Sequence, residues 1–430
     1  MTNTFIEKYK IKIKNVGIYF LASLVPMLFA LLANPFIASN MEPQDYGITG
    51  FYMSFNLLLQ PFISFYFIHY FTKRYFELDE IGRDKLKAVT VQALVYFSFI
   101  LGGIGFLGIF IYMYFFNEGT TIPFFPFAFL SVFTIPMTGL FNLMLVDAKM
   151  KRQSLYFFKL SITNGLLTLA LIFTLVVVFK LGALGRLSGV FLGALMIFSW
   201  CILKNKSAFK QKFDTKIFLA MLRFCWPLAF AGMLSFFSSG YDRILLERLG
   251  NTSELGYYIV AIQVVGYITV FSTAINATFQ PDIYESIIKG NSKKTLSIFL
   301  IILLLNLIMV IVFIWLAPFL IDVLTAGKYT YSAKYARIIV FSQLSQTIYH
   351  FISQYTIAKG YNYITLINKI VGSILTTILF SILISKWGFM GAAWGQTLAY
   401  LIFILGNLTL LFFVINKKNI NEKNSNSYFS

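Results

Sequence analysis

Lys159 and Lys369 each sit a turn or two inside an apolar stretch, about 154–179 and 362–385, where an ammonium group without a partner is expensive. A lysine so placed either holds an anion in a hydrated cavity or reaches back along its methylenes to the headgroups. Position alone leaves these readings level. A second constellation lies in the stretch 333–357, where Gln343, Gln346, His350 and Gln354 are three, four and four residues apart. At about 100° per residue this confines them to one helical face. A polar stripe in lipid faces either water or another helix, and four aligned groups exceed what one packing contact needs, so a hydrated path is expected. Arg243 follows Asp242 just beyond the stretch 217–239, where an ion pair is slightly favoured over contact with a bound anion. Asn56 with Gln60, and Asn276 with Gln280, form weaker stripes, each followed by proline.

These groups offer recognition of an anion rich in hydroxyls rather than bond making. The chain has two histidines, His69 and His350, too few and too far apart for a catalytic triad or a zinc cluster, and it has no P-loop. His69 is expected at the interface. Glu42 and Asp45 fall in an outer loop of about eight residues, too small to fold a catalytic site. No catalytic residue, metal or cofactor is expected, nor is an ATP-driven pump. Cys201 and Cys225 have no metal-binding spacing and are expected to be packing residues.

Twelve stretches are apolar enough to cross a bilayer, which takes roughly 20 helical residues. They are about 16–38, 47–72, 88–115, 122–146, 154–179, 183–203, 217–239, 256–280, 296–325, 333–357, 362–385 and 389–415. Of 35 Lys and Arg residues, 27 fall at the two ends and in alternate gaps, and eight in the other gaps. Short basic loops stay in the cytoplasm, so both termini are expected there. The net charge of +18 is dispersed over those gaps and is expected to meet anionic headgroups, not nucleic acid. The first stretch is too long for a cleavable leader and lacks a small-residue cleavage site, so it is expected to remain as a helix. The fold class is thus an all-α integral membrane protein with twelve transmembrane helices in two pseudo-symmetric six-helix bundles. These are expected over 1–210 and 211–416, followed by a polar cytoplasmic tail at 417–430.

Six stretches precede the midpoint, so the halves share one orientation. Asp45-Tyr46-Gly47 matches Glu254-Leu255-Gly256, and Ala148-Lys149 with Lys159 matches Ala358-Lys359 with Lys369. Lys180-x-Gly182-x-x-Gly185-x-x-x-Gly189 matches Lys386-x-Gly388-x-x-Gly391-x-x-x-Gly395. Three matches in order, at offsets between 206 and 210, indicate duplication. The glycines four apart are expected to let helices approach closely.

In their order, these motifs resemble those of the bacterial polysaccharide (O-antigen type) flippases of the multidrug/oligosaccharidyl-lipid/polysaccharide exporter superfamily. The resemblance covers essentially the whole chain. It rests on the two bundles, a first helix interrupted at Asn34-Pro35, and Tyr241-Asp242-Arg243 followed by Leu249-Gly250 and Ser253-Glu254-Leu255-Gly256-Tyr257-Tyr258, together with the Ala-Lys turns. It implies alternating-access transfer of an undecaprenyl-pyrophosphate-linked oligosaccharide from the inner to the outer leaflet of the bacterial inner membrane, for O-antigen or another surface polysaccharide. Lipid-linked oligosaccharide and membrane lipids are the implied partners, with contact to polysaccharide polymerase machinery. Lys159, Lys369, Arg243, Gln343, Gln346, His350, Gln354 and Asn34 become the candidate substrate contacts. A cation-coupled multidrug antiporter of the same superfamily is the alternative. It would be expected to bury a carboxylate, and no Asp or Glu lies in the middle of spans one, two, seven or eight.

Overall fold

The computed structural model describes the backbone of residues 2–116, 120–359 and 361–427, and their side chains except at 2–17, 19, 20, 23, 277, 281, 362 and 415–427. The terminal lysines Lys8, Lys10, Lys12, Lys14, Lys417, Lys418 and Lys423, and the ring of Pro281, lie outside the described side chains. Among the described residues every regular element is helical. Lipid offers the backbone no hydrogen bonds, so a chain with mean hydropathy +0.76 satisfies its peptide groups within each segment.

Among the described residues eight helices are long and apolar enough to cross a membrane, or nine if the bent pair Pro43–Ser64 and Phe67–Arg74 is one span. Three features separate this number from twelve. The first helix, Thr2–Ser39, contributes only the short apolar stretch Leu24–Ser39. The expected tenth span is divided into Ala333–Ile339 and the polar Ser342–Ala358. The eleventh and twelfth run together as Tyr363–Val414, broken at Gly388 with φ 53° and ψ −132°.

The chain divides into two compact units, Met1–Met233 with Val323–Lys328, and Leu234–Asp322 with Tyr329–Ser430. The division therefore falls at 233/234 rather than at 210/211. The reason lies in the core of the first unit. Met221 and Cys225, on the helix Thr215–Leu234, are fully buried there with Phe67, Phe71, Leu94, Leu140 and Leu143. The segment leading into that helix is also fastened to the first unit. Gln92 Nε2 donates to the carbonyls of Ala208 and Gln211, each at 2.9 Å, and Lys85 pairs with Asp214 at 2.7 Å. The Lys85 hydrogen bond, with the backbone N–H groups of Ile217 and Lys216, holds the Asp214 carboxyl below the ordinary aspartate range.

At the other end of the first unit, Asp45 closes two helix starts at once. Its Oδ2 accepts from its own helix's N-cap, Glu42 N, at 2.8 Å, and its Oδ1 accepts from Ala183 N at 2.9 Å. Asn34 Nδ2 donates to Leu324 O at 2.7 Å, and Lys328 Nζ meets Glu42 Oε1 at 2.7 Å. In the second unit Glu254, the match of Asp45, takes Lys334 Nζ at 3.1 Å and the Tyr335 hydroxyl. The matched glycines behave alike. Gly182 and Gly388 both have positive φ, 51° and 53°, and a Cβ at Gly185 or Gly391 would strike a backbone carbonyl, Leu175 or Leu383 respectively.

Candidate functional site

In the first unit the helix Pro43–Ser64 stops at Phe65 and Tyr66, both left-handed with φ 46° and 52°. It resumes as Phe67–Arg74 after a 47° bend. Two non-glycine residues in that region cost about 1–3 kcal/mol each and persist only where the surroundings over-determine them. Here Phe65 packs against the rings of Phe67 and Phe97 at 5.5 and 5.8 Å, and Cys225 Sγ donates to Tyr66 O at 3.4 Å.

The break opens a cleft of about 300 Å³ against the helix Phe127–Met150. Gln60, Ser64, Tyr66, His69, Thr138, Asn142 and Lys149 supply its polar lining, and no carboxylate is among the lining residues. The Tyr66 and His69 rings lie 4.9 Å apart, and Lys149 Nζ rests 4.8 Å from the Phe157 ring. A cation, an imidazole, two amides and three hydroxyls in one cleft suit an anionic group carrying hydroxyls. In the sequence this cleft is marked only faintly, by Gln60 in a weak stripe, His69 as an interfacial residue and Lys149 in a repeated Ala-Lys turn.

Lys159 and Lys369 are placed differently. Lys159 is exposed and outside the cleft lining, on the face of its helix that also exposes Leu155 and Leu166. That position fits a snorkelling side chain. Lys369 is half-buried in the second unit beside the buried Asn368, whose Nδ2 donates to Phe403 O at 2.8 Å. Among the described residues neither lysine has an ion-pair partner. Asn34 is buried with its amide on the Leu324 carbonyl, which gives it a packing role at that end of the first unit.

The stripe on span ten is divided between two uses. Gln343 is buried, and Gln346 Nε2 donates to the Tyr400 hydroxyl at 2.9 Å. These two therefore belong to a helix seam, where a hydrated face was expected. His350 is exposed, its ring against Tyr349, and Gln354 is half-buried.

Tyr400 lies one turn after Gln396, and Gln396 reaches a group that hydropathy had placed outside the membrane core. Asp242 is 0% exposed. Its Oδ2 accepts from Tyr258 OH at 2.6 Å and from Gln396 Nε2 at 2.9 Å, and its Oδ1 is buried with no hydrogen-bond partner. Hydropathy ends span seven near 239, but the chain turns at Gly240 and continues as the short helix Tyr241–Glu247, which carries Asp242 inward. No Asp or Glu lies in the middle of span seven, and Asp242, just beyond it, is nonetheless a buried carboxylate. The partners of Asp242 are Tyr258 and Gln396, where an ion pair with Arg243 was expected, and Arg243 is half-buried. Among the described residues no group of three or more His, Cys, Asp or Glu side chains is placed to hold a metal ion.

The geometry can be set beside known proteins. Residues 13–286 match the family described as "Polysaccharide biosynthesis protein". No curated protein sequence matches the chain. Among solved structures, the lipid II flippase MurJ in an inward closed conformation superposes with a TM-score of 0.70 at 16% identity, covering 91% of this chain and 87% of that one. An inward-facing multidrug resistance MATE family transporter of the MOP superfamily gives 0.68 at 12% identity, covering 93% and 99%. A MOP superfamily transporter from Pyrococcus furiosus gives 0.57 at 12% identity, covering 92% and 94%. At these identities the superpositions establish the fold, and the sequence match spans more than half of the chain. The chain is thus a member of the polysaccharide biosynthesis protein family, folded as the transporters and flippases of the MOP superfamily are.

Proposed function

We propose that this protein is a flippase that moves an undecaprenyl-pyrophosphate-linked oligosaccharide from the inner to the outer leaflet of the bacterial inner membrane by alternating access. In this reading the chain crosses twelve times with both termini cytoplasmic, and delivers its cargo to polymerase machinery. The observation that carries the proposal is the carboxylate-free cleft at the Phe65–Tyr66 break. Lys149 and His69 face the pyrophosphate, while Gln60, Asn142 and the hydroxyls face sugars. The family description and the flippase named among the similar structures support it.

Asp242 gives a specific reason to keep a second reading, a cation-coupled multidrug antiporter. A protonatable group buried in the second unit is what such coupling needs. A cationic drug, however, would need a carboxylate where it binds, and the cleft lining has none. In the flippase reading Asp242 is the proton site that drives the cycle.

The test is complementation of a strain lacking its own flippase, scored by surface polysaccharide. Lys149→Ala should reduce export more than Lys149→Arg at equal protein level. Full export by both variants, or export of cationic dyes without polysaccharide, would overturn the proposal.

A further inference from the structure

A second pocket, of about 190 Å³, lies in the first unit where two membrane helices end, at the first turns of Glu80–Phe116 and the last turn of Phe127–Met150. It is separate from the cleft and has a balanced charge. Three cations, Arg83, Lys87 and Lys151, face three carboxylates, Glu80, Asp84 and Asp147. Three of these charges are already matched to one another. Asp147 is buried, and its Oδ2 takes Lys87 at 2.7 Å and Lys151 at 3.1 Å. Arg83 is fixed by its Nε on Tyr75 O at 2.7 Å, with its guanidinium 4.9 Å from the Tyr75 ring. Glu80 and Asp84, one turn apart on the same helical face, have no ion-pair partner among the described residues. One side of the pocket thus offers free carboxylates, the other a guanidinium and an ammonium.

A wholly anionic head would meet Glu80 and Asp84, and a wholly cationic one would meet Arg83 and Lys151. A zwitterion of phosphate and ammonium satisfies both. The turn that builds the pocket also shows where such a ligand comes from. Phe76 is 66% exposed and Ile81 80% exposed, in a segment otherwise carrying Glu77, Asp79 and Glu80. Two large apolar side chains at the ends of membrane helices seat themselves among lipids at headgroup depth.

We propose that this pocket binds the headgroup of a phosphatidylethanolamine molecule from the surrounding leaflet. The phosphate lies against Arg83 and Lys151, and the primary ammonium lies against Glu80 and Asp84. Choline heads are discriminated against because a quaternary ammonium has no N–H to donate to a carboxylate.

The full-length protein, purified in detergent, is incubated with equal amounts of dioleoyl phosphatidylethanolamine, phosphatidylcholine and phosphatidylglycerol, and retained lipid is counted by native mass spectrometry. Two charge-assisted contacts at a half-exposed site correspond to about fivefold preferential retention of the ethanolamine lipid over the choline lipid. The double variant Glu80→Gln/Asp84→Asn changes exposed side chains outside any ion pair, so it should remain monodisperse. It should lose that preference and retain more phosphatidylglycerol, because Glu80 and Asp84 then no longer repel an anion beside Arg83 and Lys151. Soluble glycerophosphoethanolamine at the same concentration should displace none of the bound lipid. Equal retention of the ethanolamine and choline lipids, or an unchanged preference in the double variant, would overturn the assignment. Displacement by the soluble compound would overturn the lipid source and leave a soluble zwitterion as the ligand.

Discussion

Removing the Tyr258 hydroxyl tests what the buried Asp242 is doing. Tyr258→Phe keeps the ring against Tyr335 and Phe389, at 5.8 and 6.4 Å, so no cavity forms and the loss is that of the 2.6 Å hydrogen bond alone. Two magnitudes compete. A neutral side-chain hydrogen bond between membrane helices averages about 0.6 kcal/mol, whereas one to an ionised group is worth about 1.5–3 kcal/mol. With Gln396 as the one remaining donor and Oδ1 unpaired, an ionised Asp242 should show the larger figure. A double-mutant cycle isolates it: Tyr258→Phe, Asp242→Ala and the double variant are unfolded at equilibrium in mixed micelles. The expected coupling is about 2 kcal/mol, the middle of the range for a bond to an ionised group. A coupling near 0.6 kcal/mol would mean a carboxyl that already holds its proton. A coupling of zero would refute the reasoning, since the two groups would then contribute independently.

Gly185→Ala and Gly391→Ala should each destabilise by about 1–3 kcal/mol, the usual range for overpacking, because the new methyl meets a backbone carbonyl. Gly103→Ala and Gly108→Ala, which face open space, should be neutral, as read by resistance to thermal aggregation. Cysteine at His350 in a background lacking Cys201 and Cys225 should react with a water-soluble maleimide, whereas cysteine at Gln343 or Gln346 should stay protected; labelling at all three would dissolve the proposed seam. The Lys85–Asp214 pair should respond to acid. The folded-state pKa of Asp214 is lowered, so the stabilisation is present above the unfolded aspartate pKa of about 4 and is lost as pH falls through the folded value. Hydrogen exchange across 205–214 should therefore quicken below about pH 4, and Asp214→Asn should show that faster exchange at neutral pH.

The helical class was legible because it rests on chemistry that varies little with context. Apolar runs of bilayer length must be helical, and the positive φ at Gly182 and Gly388 falls where the glycines were matched in sequence. The broken spans were harder to read. Phe65 and Tyr66 take left-handed geometry with no glycine or asparagine to announce it, because tertiary packing imposes the turn. Asp242 was misplaced for a related reason. Hydropathy averages over a window, so a carboxylate satisfied by Tyr258 and Gln396 from distant parts of the chain looks like the start of a loop. In the span-ten stripe the 3.6-residue period put four polar groups on one face. Period alone could not say that Tyr400 would claim Gln346.

The helix Thr215–Leu234 has a bearing on how the protein is made. Met221 and Cys225 complete a core whose other members are all translated earlier. At roughly 5–20 residues per second, the ribosome has passed the helix Gly182–Lys204 for some seconds before those side chains leave the exit tunnel. Until then Phe67, Phe71 and Leu94 lack their last neighbours. This core of the first unit can thus close during synthesis only after the helix Thr215–Leu234 has emerged. A nascent chain arrested in the 205–214 segment should remain open to protease or lipid, while one arrested past the end of this helix should be protected.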